Sequence, residues 1–509
     1  MSRFAGRGFP RGPRPVLVAL LVIAVASGCS SLGFGGEEPV DTVGQVDFAR
    51  PLAVPPLAES HLDGDGRRVF DLVAQDGERE FVPGLSTPTR GFNGDHLGPT
   101  LRARQGERVA VRVRNDLDEV TTVHWHGMRL PAAMDGTPHQ AIEPGETWEP
   151  TWTVDQPAAT LWYHPHPHGE TEKQVYQGLA GLFLVDDPEE AALDLPREYG
   201  VDDIPLVVRD VRLDGQGRLD RESRNPMGVL GDTVLVNGTA GPYLEVGDER
   251  VRLRLLNAST ARVYDFGFAD DRGFALVGTD GGLLAAPHRT TRVRLSPGER
   301  AEIVVDLVAG ESTVLRSTPP DLGTGDAMTG RVGGRDTLDI LEIRAAGDLR
   351  PAPPLPDTLA DIPPPDPAES VTTREFVLSG RQINGGSMDM SRVDEVVVRD
   401  TAETWVVRND HNQPHNFHVH DVRFRVLDLD GDPPPPPLSG WKDTVYVPPG
   451  GEVRLLIRFG PHTDPEVPYM YHCHLLLHED LGMMGQFLVV EPGQEDTVGT
   501  LLDVDHDHG

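Results

Sequence analysis

Eleven of the chain's 19 histidines fall into four tight groups. They are His124 and His126; His164, His166 and His168; His415, His418 and His420; and His472, His474 and His478, the last group enclosing Cys473. On a strand, residues i and i+2 face one side and i+1 the other, so a His-X-His pair aims two imidazoles at one place. Four such pairs supply eight imidazoles, too many for one metal ion, and imply a cluster of several ions. Within His472-Cys473-His474 the sulfur points away from both imidazoles. With His478, an upstream imidazole such as His415 and a weak axial thioether from Met483, Cys473 completes a ligand set that selects copper in electron transfer. One tripeptide thereby joins a single-ion site to a multi-ion site through covalent bonds. Zinc is the rival metal, but structural zinc favours several cysteines and four ligands in all.

Such pairs need strands to carry them, and the strands recur. GERVAVRVRN (Gly106 to Asn115), GDERVRLRLLN (Gly247 to Asn257) and a more worn DTAETWVVRN (Asp400 to Asn409) each tend to alternate apolar and polar residues, then stop at Asn. PGETWEPTWTV from Pro144, PGERAEIVVDL from Pro297 and PPGGEVRLLIRF from Pro448 repeat in the same order, at intervals of about 150 residues. Three similar β domains are expected, at 46–190, 200–346 and 372–492, with a stiff Pro-rich linker at 350–371. The second holds no histidine group and reads as a spacer between the other two.

Composition agrees. Gly (56) and Pro (46) are about a fifth of the 509 residues and aromatics are 6%, which suits strands and turns and excludes helix bundles and coiled coils. With 46 Lys and Arg against 80 Asp and Glu, the net charge of −34 repels nucleic acid and anionic lipid headgroups. The only two cysteines, Cys29 and Cys473, exclude a disulfide-stapled fold. Arg3, Arg7, Arg11 and Arg14 precede an apolar run at 16–25 that is too short to span a bilayer. Residues 1–28 therefore read as an export signal and 29–45 as a tether. Ala26-Ser27-Gly28-Cys29 resembles the lipobox of bacterial lipoproteins, which makes a lipid on Cys29 the one expected membrane contact. The working chain is placed outside the cytoplasmic membrane, and 493–509 forms an acidic, His-containing tail.

HCHLLLHEDLGMM, His472–Met484, together with the other three histidine groups, resembles the multicopper oxidases, the family of laccases and cuprous oxidases. The resemblance spans nearly the whole mature chain. It implies an all-β fold of three cupredoxin-like Greek-key sandwich or barrel domains and four copper ions. Carried over, type 1 copper takes His415, Cys473 and His478 with Met483 axial, and type 2 takes His124 and His418. One type 3 ion takes His126, His164 and His474, and the other takes His166, His420 and His472. The implied chemistry is one-electron oxidation of phenols or aromatic amines, with O2 reduced to water. The alternative donor is Cu(I), as in the family's cuprous-ion oxidases, but no Met-rich insert is present. Asp135 and Glu479 resemble the carboxylates that relay protons for that reduction. A copper nitrite reductase would have two domains and fewer His-X-His pairs, and a non-catalytic scaffold of the same fold would have shed ligands.

His61, His96, His139, His168, His288, His411 and His462 are left over, and are expected around the ligands or at the surface. Met388 and Met390 are expected to pack, and Pro433–Pro437 to form a stiff surface loop.

Overall fold

The computed structural model describes residues 38–502. The export signal, Cys29 and the closing DVDHDHG lie outside the described residues. Six sheets form three pairs, each pair enclosing its own core. The first core joins Phe70, Leu72 and Val111 of one sheet to Trp125, Tyr163 and Phe183 of the other. The second is built likewise from Leu253 and Ile303 against Phe266 and Leu315, and the third from Trp405 and Leu455 against Phe417 and Phe487. The chain is all-β, with three cupredoxin-like sandwich domains.

The repeated segments occupy equivalent places. Arg108–Asn115, Arg250–Asn257 and Ala402–Asn409 each pair parallel with an earlier strand: Arg68–Val82, Asp203–Val211 and Ser370–Ser379 respectively. Each also pairs antiparallel with the strand after its Pro-Gly turn: Thr151–Thr153, Arg300–Asp306 or Glu452–Arg458. The closing asparagine explains why all three strands stop there. Asn115 donates to the carbonyls of Glu119 and Ile142, Asn257 to those of Arg262 and Leu295, and Asn409 to those of Gln413 and Val447. Each side-chain oxygen accepts the N–H two residues on, an Asx turn that takes the backbone out of the ladder. Each asparagine's carbonyl accepts the N–H of the turn glycine, Gly145, Gly298 or Gly450, at φ of 82°, 87° and 72°.

Two boundaries differ from the sequence expectation. Arg50–Pro51 pairs parallel with Pro242–Asp248, so the start of the described chain is built into the second sheet pair rather than the first. The Pro-rich linker is anchored at Leu359, which is buried with Ala275 and Val277 of the second domain and with Leu195 of the segment before it. His96 is half-buried, edge-on against Phe81 at 5.3 Å between ring centroids, and desolvation holds it well below the usual histidine range. Among the described residues, no helix is long and apolar enough to cross a membrane.

Buried charge binds the first and second domains. Glu302 accepts from Arg254 Nη1 and Arg252 Nε, each at 3.0 Å, and from the Thr160 hydroxyl of the first domain. Burial alone would raise its carboxyl, but Arg252 and Arg254 outweigh it and hold the group at about 2. A depressed carboxyl contributes stability above its unfolded value and loses it as the pH falls through the folded one. Glu302→Gln is therefore expected to cost about 2–3 kcal/mol at pH 7, since the hydrogen bonds to a charged acceptor are weakened while Arg252 keeps Glu190 and Arg254 keeps Asp203 as counter-charges. The deficit should shrink as the pH falls from 4.5 towards 2. Denaturant midpoints at pH 7 and pH 3 check this; an equal deficit at both would sink it.

Candidate metal centre

Histidine-bearing segments of the first and third domains meet at one rim. The strand His124–His126 pairs with Ala159–His164, setting His124 opposite His164. The strand His415–Val419 pairs with Asp464–His472, setting His418 opposite His472. Strand alternation holds for His124 and His126, but His166, His420, Cys473 and His474 lie just past strand ends. Beyond the ladder the backbone turns, which lets imidazoles from four segments converge. Gly136, at φ 79°, permits one such turn: a Cβ there would stand 1.7 Å from the Val123 carbonyl oxygen, immediately behind His124.

Eight imidazoles converge at this rim. His124 stacks on His420 and His126 on His418, both at 3.8 Å between centroids. His166, His420 and His472 form one triad, with His472 Nε2 3.1 Å from His420 Nε2 and 3.3 Å from His166 Nε2. The rings of His126, His164 and His474 lie 4.9–5.7 Å from one another, and those of His124 and His418 lie 5.8 Å apart.

A separate group stands on the other side of the tripeptide. Cys473 Sγ lies 3.5 Å from His415 Nδ1 and 3.7 Å from His478 Nδ1, and the two nitrogens are 3.2 Å apart. Met483 is fully buried beside them, its N–H donating to the His478 carbonyl and its carbonyl accepting the Cys473 N–H. The sulfur and the flanking imidazoles of His472 and His474 thus serve different places. Met388 and Met390 are half-buried next to this loop, and the Met388 N–H donates to the Gly482 carbonyl.

The donor atoms fit metal ions. His124 Nε2, His126 Nδ1, His164 Nε2, His418 Nε2 and both nitrogens of His474 are buried with no hydrogen-bond partner, a costly state unless a cation uses the lone pairs. Tetrahedral bonds of about 2.0–2.1 Å space nitrogens about 3.3–3.4 Å apart, close to the spacing of the His166–His420–His472 triad. Burial lowers His166 and His478 to about 4 and His474 to about 3, so these imidazoles are neutral, the form that binds metal. Burial also pushes the Cys473 thiol up to about 12, so a thiolate there calls for a cation beside it.

Two aspartates hold the stacked rings. His124 Nδ1 donates to the Asp135 carbonyl (3.0 Å) and His420 Nδ1 to Asp135 Oδ2 (2.7 Å). In mirror fashion, His418 Nδ1 donates to the Asp443 carbonyl (2.9 Å) and His126 Nε2 to Asp443 Oδ1 (3.0 Å). Each aspartate gives its backbone oxygen to its own domain and its carboxylate to the other. These bonds fix the tautomers and leave the opposite nitrogen of each ring facing the cluster. Glu479 adds a carboxylate oxygen 3.1 Å from His472 Nδ1. Asn416 lies between the two groups: its oxygen accepts the His474 N–H at 2.6 Å, and its amide donates to the Pro297 carbonyl of the second domain at 2.8 Å.

Sequence reasoning marked Asp135 and Glu479 but missed Asp443, Asn416 and Arg300. Asn416 sits inside a histidine group and was legible as a neighbour, though its type carries no chemistry alone. Asp443 and Arg300 carry no motif, and only the fold brings them to the cluster. The second domain is more than a spacer, since Arg300 and Gly298 both border the cluster. A Cβ on Gly298 would stand 3.2 Å from the His474 ring and 3.3 Å from that of His126.

Known proteins share this arrangement's framework. Two family models, each described as multicopper oxidase, match residues 74–190 and 361–493. The multicopper oxidase mco of Staphylococcus haemolyticus is 35% identical over 86% of this chain and 92% of its own length. The cell division protein FtsP of Dickeya dadantii is 38% identical over 86% of this chain and 92% of its own. The crystal structure of a laccase from Pediococcus acidilactici superposes with a TM-score of 0.79 at 35% identity, covering 87% of this chain and 94% of that one. With two matched models over the domains that carry the histidine groups, and relatives aligned over most of its length, the chain belongs to the multicopper oxidase family.

Proposed function

We propose that the protein is a laccase-like oxidase that takes single electrons from phenols or aromatic amines and reduces O2 to water. The observation that carries this reading is the Cys473 tripeptide, which ties a buried His₂Cys group to a cluster of eight buried imidazoles. His415, Cys473, His478 and Met483 would hold type 1 copper. His124 and His418 would hold type 2; His126, His164 and His474, and His166, His420 and His472, would hold the type 3 pair. Bound there, copper supplies one-electron oxidation at the first site and four-electron reduction of O2 at the cluster. The protein's own part is to bind, insulate and supply protons. Full burial excludes water from both groups. Asp135, whose Oδ1 makes no hydrogen bond and lies 3.2 Å from His124 Nδ1, and Glu479 would deliver protons beside His420 and His472. The basic residues and short apolar run at the N-terminus support export, with Cys29 as a lipid anchor.

The test is direct. Copper-loaded protein is expected to hold four ions, absorb near 600 nm and consume O2 with a phenolic donor. Faster uptake with Cu(I) than with a phenol would instead make it a metallo-oxidase. A chain that binds no copper, or binds it and leaves O2 untouched with every donor, would be a non-catalytic scaffold of this fold. Met483→Leu is expected to raise the type 1 potential and keep the colour, because a weak thioether donor would be lost while the three strong ligands stay. An unchanged potential would remove Met483 from the ligand set.

A further inference from the structure

Arg300 is fully buried in the second domain, which carries no metal ligand, and its five N–H donors meet five acceptors. Nε donates to the Thr160 carbonyl at 3.0 Å, in the first domain. Nη1 and Nη2 donate to the Gly298 and Asp280 carbonyls at 3.0 Å, in the second. The same two nitrogens grip Asp443 of the third domain through both oxygens, at 2.7 and 2.6 Å. The counterpart positions in the other two repeats, two residues after Gly145 and Gly450, are Thr147 and Glu452; Thr147 is exposed and Glu452 half-buried. A buried arginine at this point of the repeat is thus particular to the second domain, where it faces the cluster.

Asp443 has two uses open to it. Its carboxylate lies near His126 and His418, and these three residues have the spacing of a metal group of their own. It also accepts the His126 Nε2–H. Only the second use leaves His126 Nδ1 free for the cluster. A fork that binds both carboxylate oxygens fixes their direction in a way a single ammonium cannot.

We infer that Arg300 is a positioning residue for the metal cluster. By clamping Asp443 it keeps that carboxylate off the metal, holds the His126 ring with Nδ1 inward, and keeps the His126–His418 stack in register. The inference rests on the proposed copper cluster and adds the second domain to its working parts.

The test uses the full-length, copper-loaded chain with Arg300→Lys, Asp443→Asn and the double variant. Copper per chain, blue absorbance per chain and the type 2 electron paramagnetic resonance spectrum are read together. Both single variants should keep full blue absorbance yet lose the remaining copper to a chelator about 10–100-fold more readily, with the same altered type 2 spectrum. The double variant should match the singles, since the two residues act as one unit. Unchanged copper retention and spectrum in Arg300→Lys would overturn the inference. Equal loss of blue and non-blue copper would also overturn it, because it marks general domain docking. If Arg300→Lys does not fold, Asp443→Asn decides, as it keeps the arginine and removes only the charged acceptor. Wild-type protein without cluster copper would refute the functional reading itself, before any variant is compared.

Discussion

Cys473→Ser is expected to abolish the blue absorbance and bring O2 uptake with every donor down to background. The sulfur is fully buried at 3.5 and 3.7 Å from His415 and His478, so no other side chain can take its place. A hydroxyl is nearly the same size but is a hard, weak donor to copper, where a soft thiolate is strong. The peptide links to His472 and His474 remain, yet the covalent path through sulfur is cut. Because serine fits the space, the three cluster ions should stay bound, and a copper count shows whether they do. Retained colour or turnover would refute the assignment of Cys473.

Asp135→Asn should give the second-largest effect, a fall of about 10²–10⁴ in O2 uptake with the blue site intact. The asparagine oxygen can still accept from His420, and the backbone carbonyl still holds His124, so the rings keep their places. What is lost is an acid that can carry a proton at Oδ1, which makes no hydrogen bond. Stopped-flow traces separate the steps. Anaerobic bleaching of the blue band by donor should keep its wild-type rate, while return of the colour on admitting O2 should slow. Return at the wild-type rate would remove Asp135 from the proton path. Asp443 makes the contrast instructive: it holds the partner pair of rings by the same two bonds, but Arg300 occupies both its oxygens.

Much of the site was legible because its signals are local. His-X-His, the Cys between two histidines and Met483 five residues after His478 are short-range patterns, and the fold brings their side chains together. The three repeats were legible for the same reason, down to the asparagine that ends each strand. Other expectations met limits of the same kind. The strand rule placed His166 and His474 on ladders, whereas both lie past strand ends, where convergence needs a turn.

The sequence by itself determined which atoms could bind metal, how they divide into a sulfur group and an imidazole cluster, and that the first and third of three repeated β domains carry them. Only the tertiary structure decided what holds those atoms in place. Asp135 reaches His420 across 285 residues of chain, Asp443 reaches His126 across 317, and Arg300 reaches Asp443 across 143. Contacts this distant leave no periodicity or spacing to read, because strand geometry constrains near neighbours alone and the meeting of domains is set by packing over whole faces.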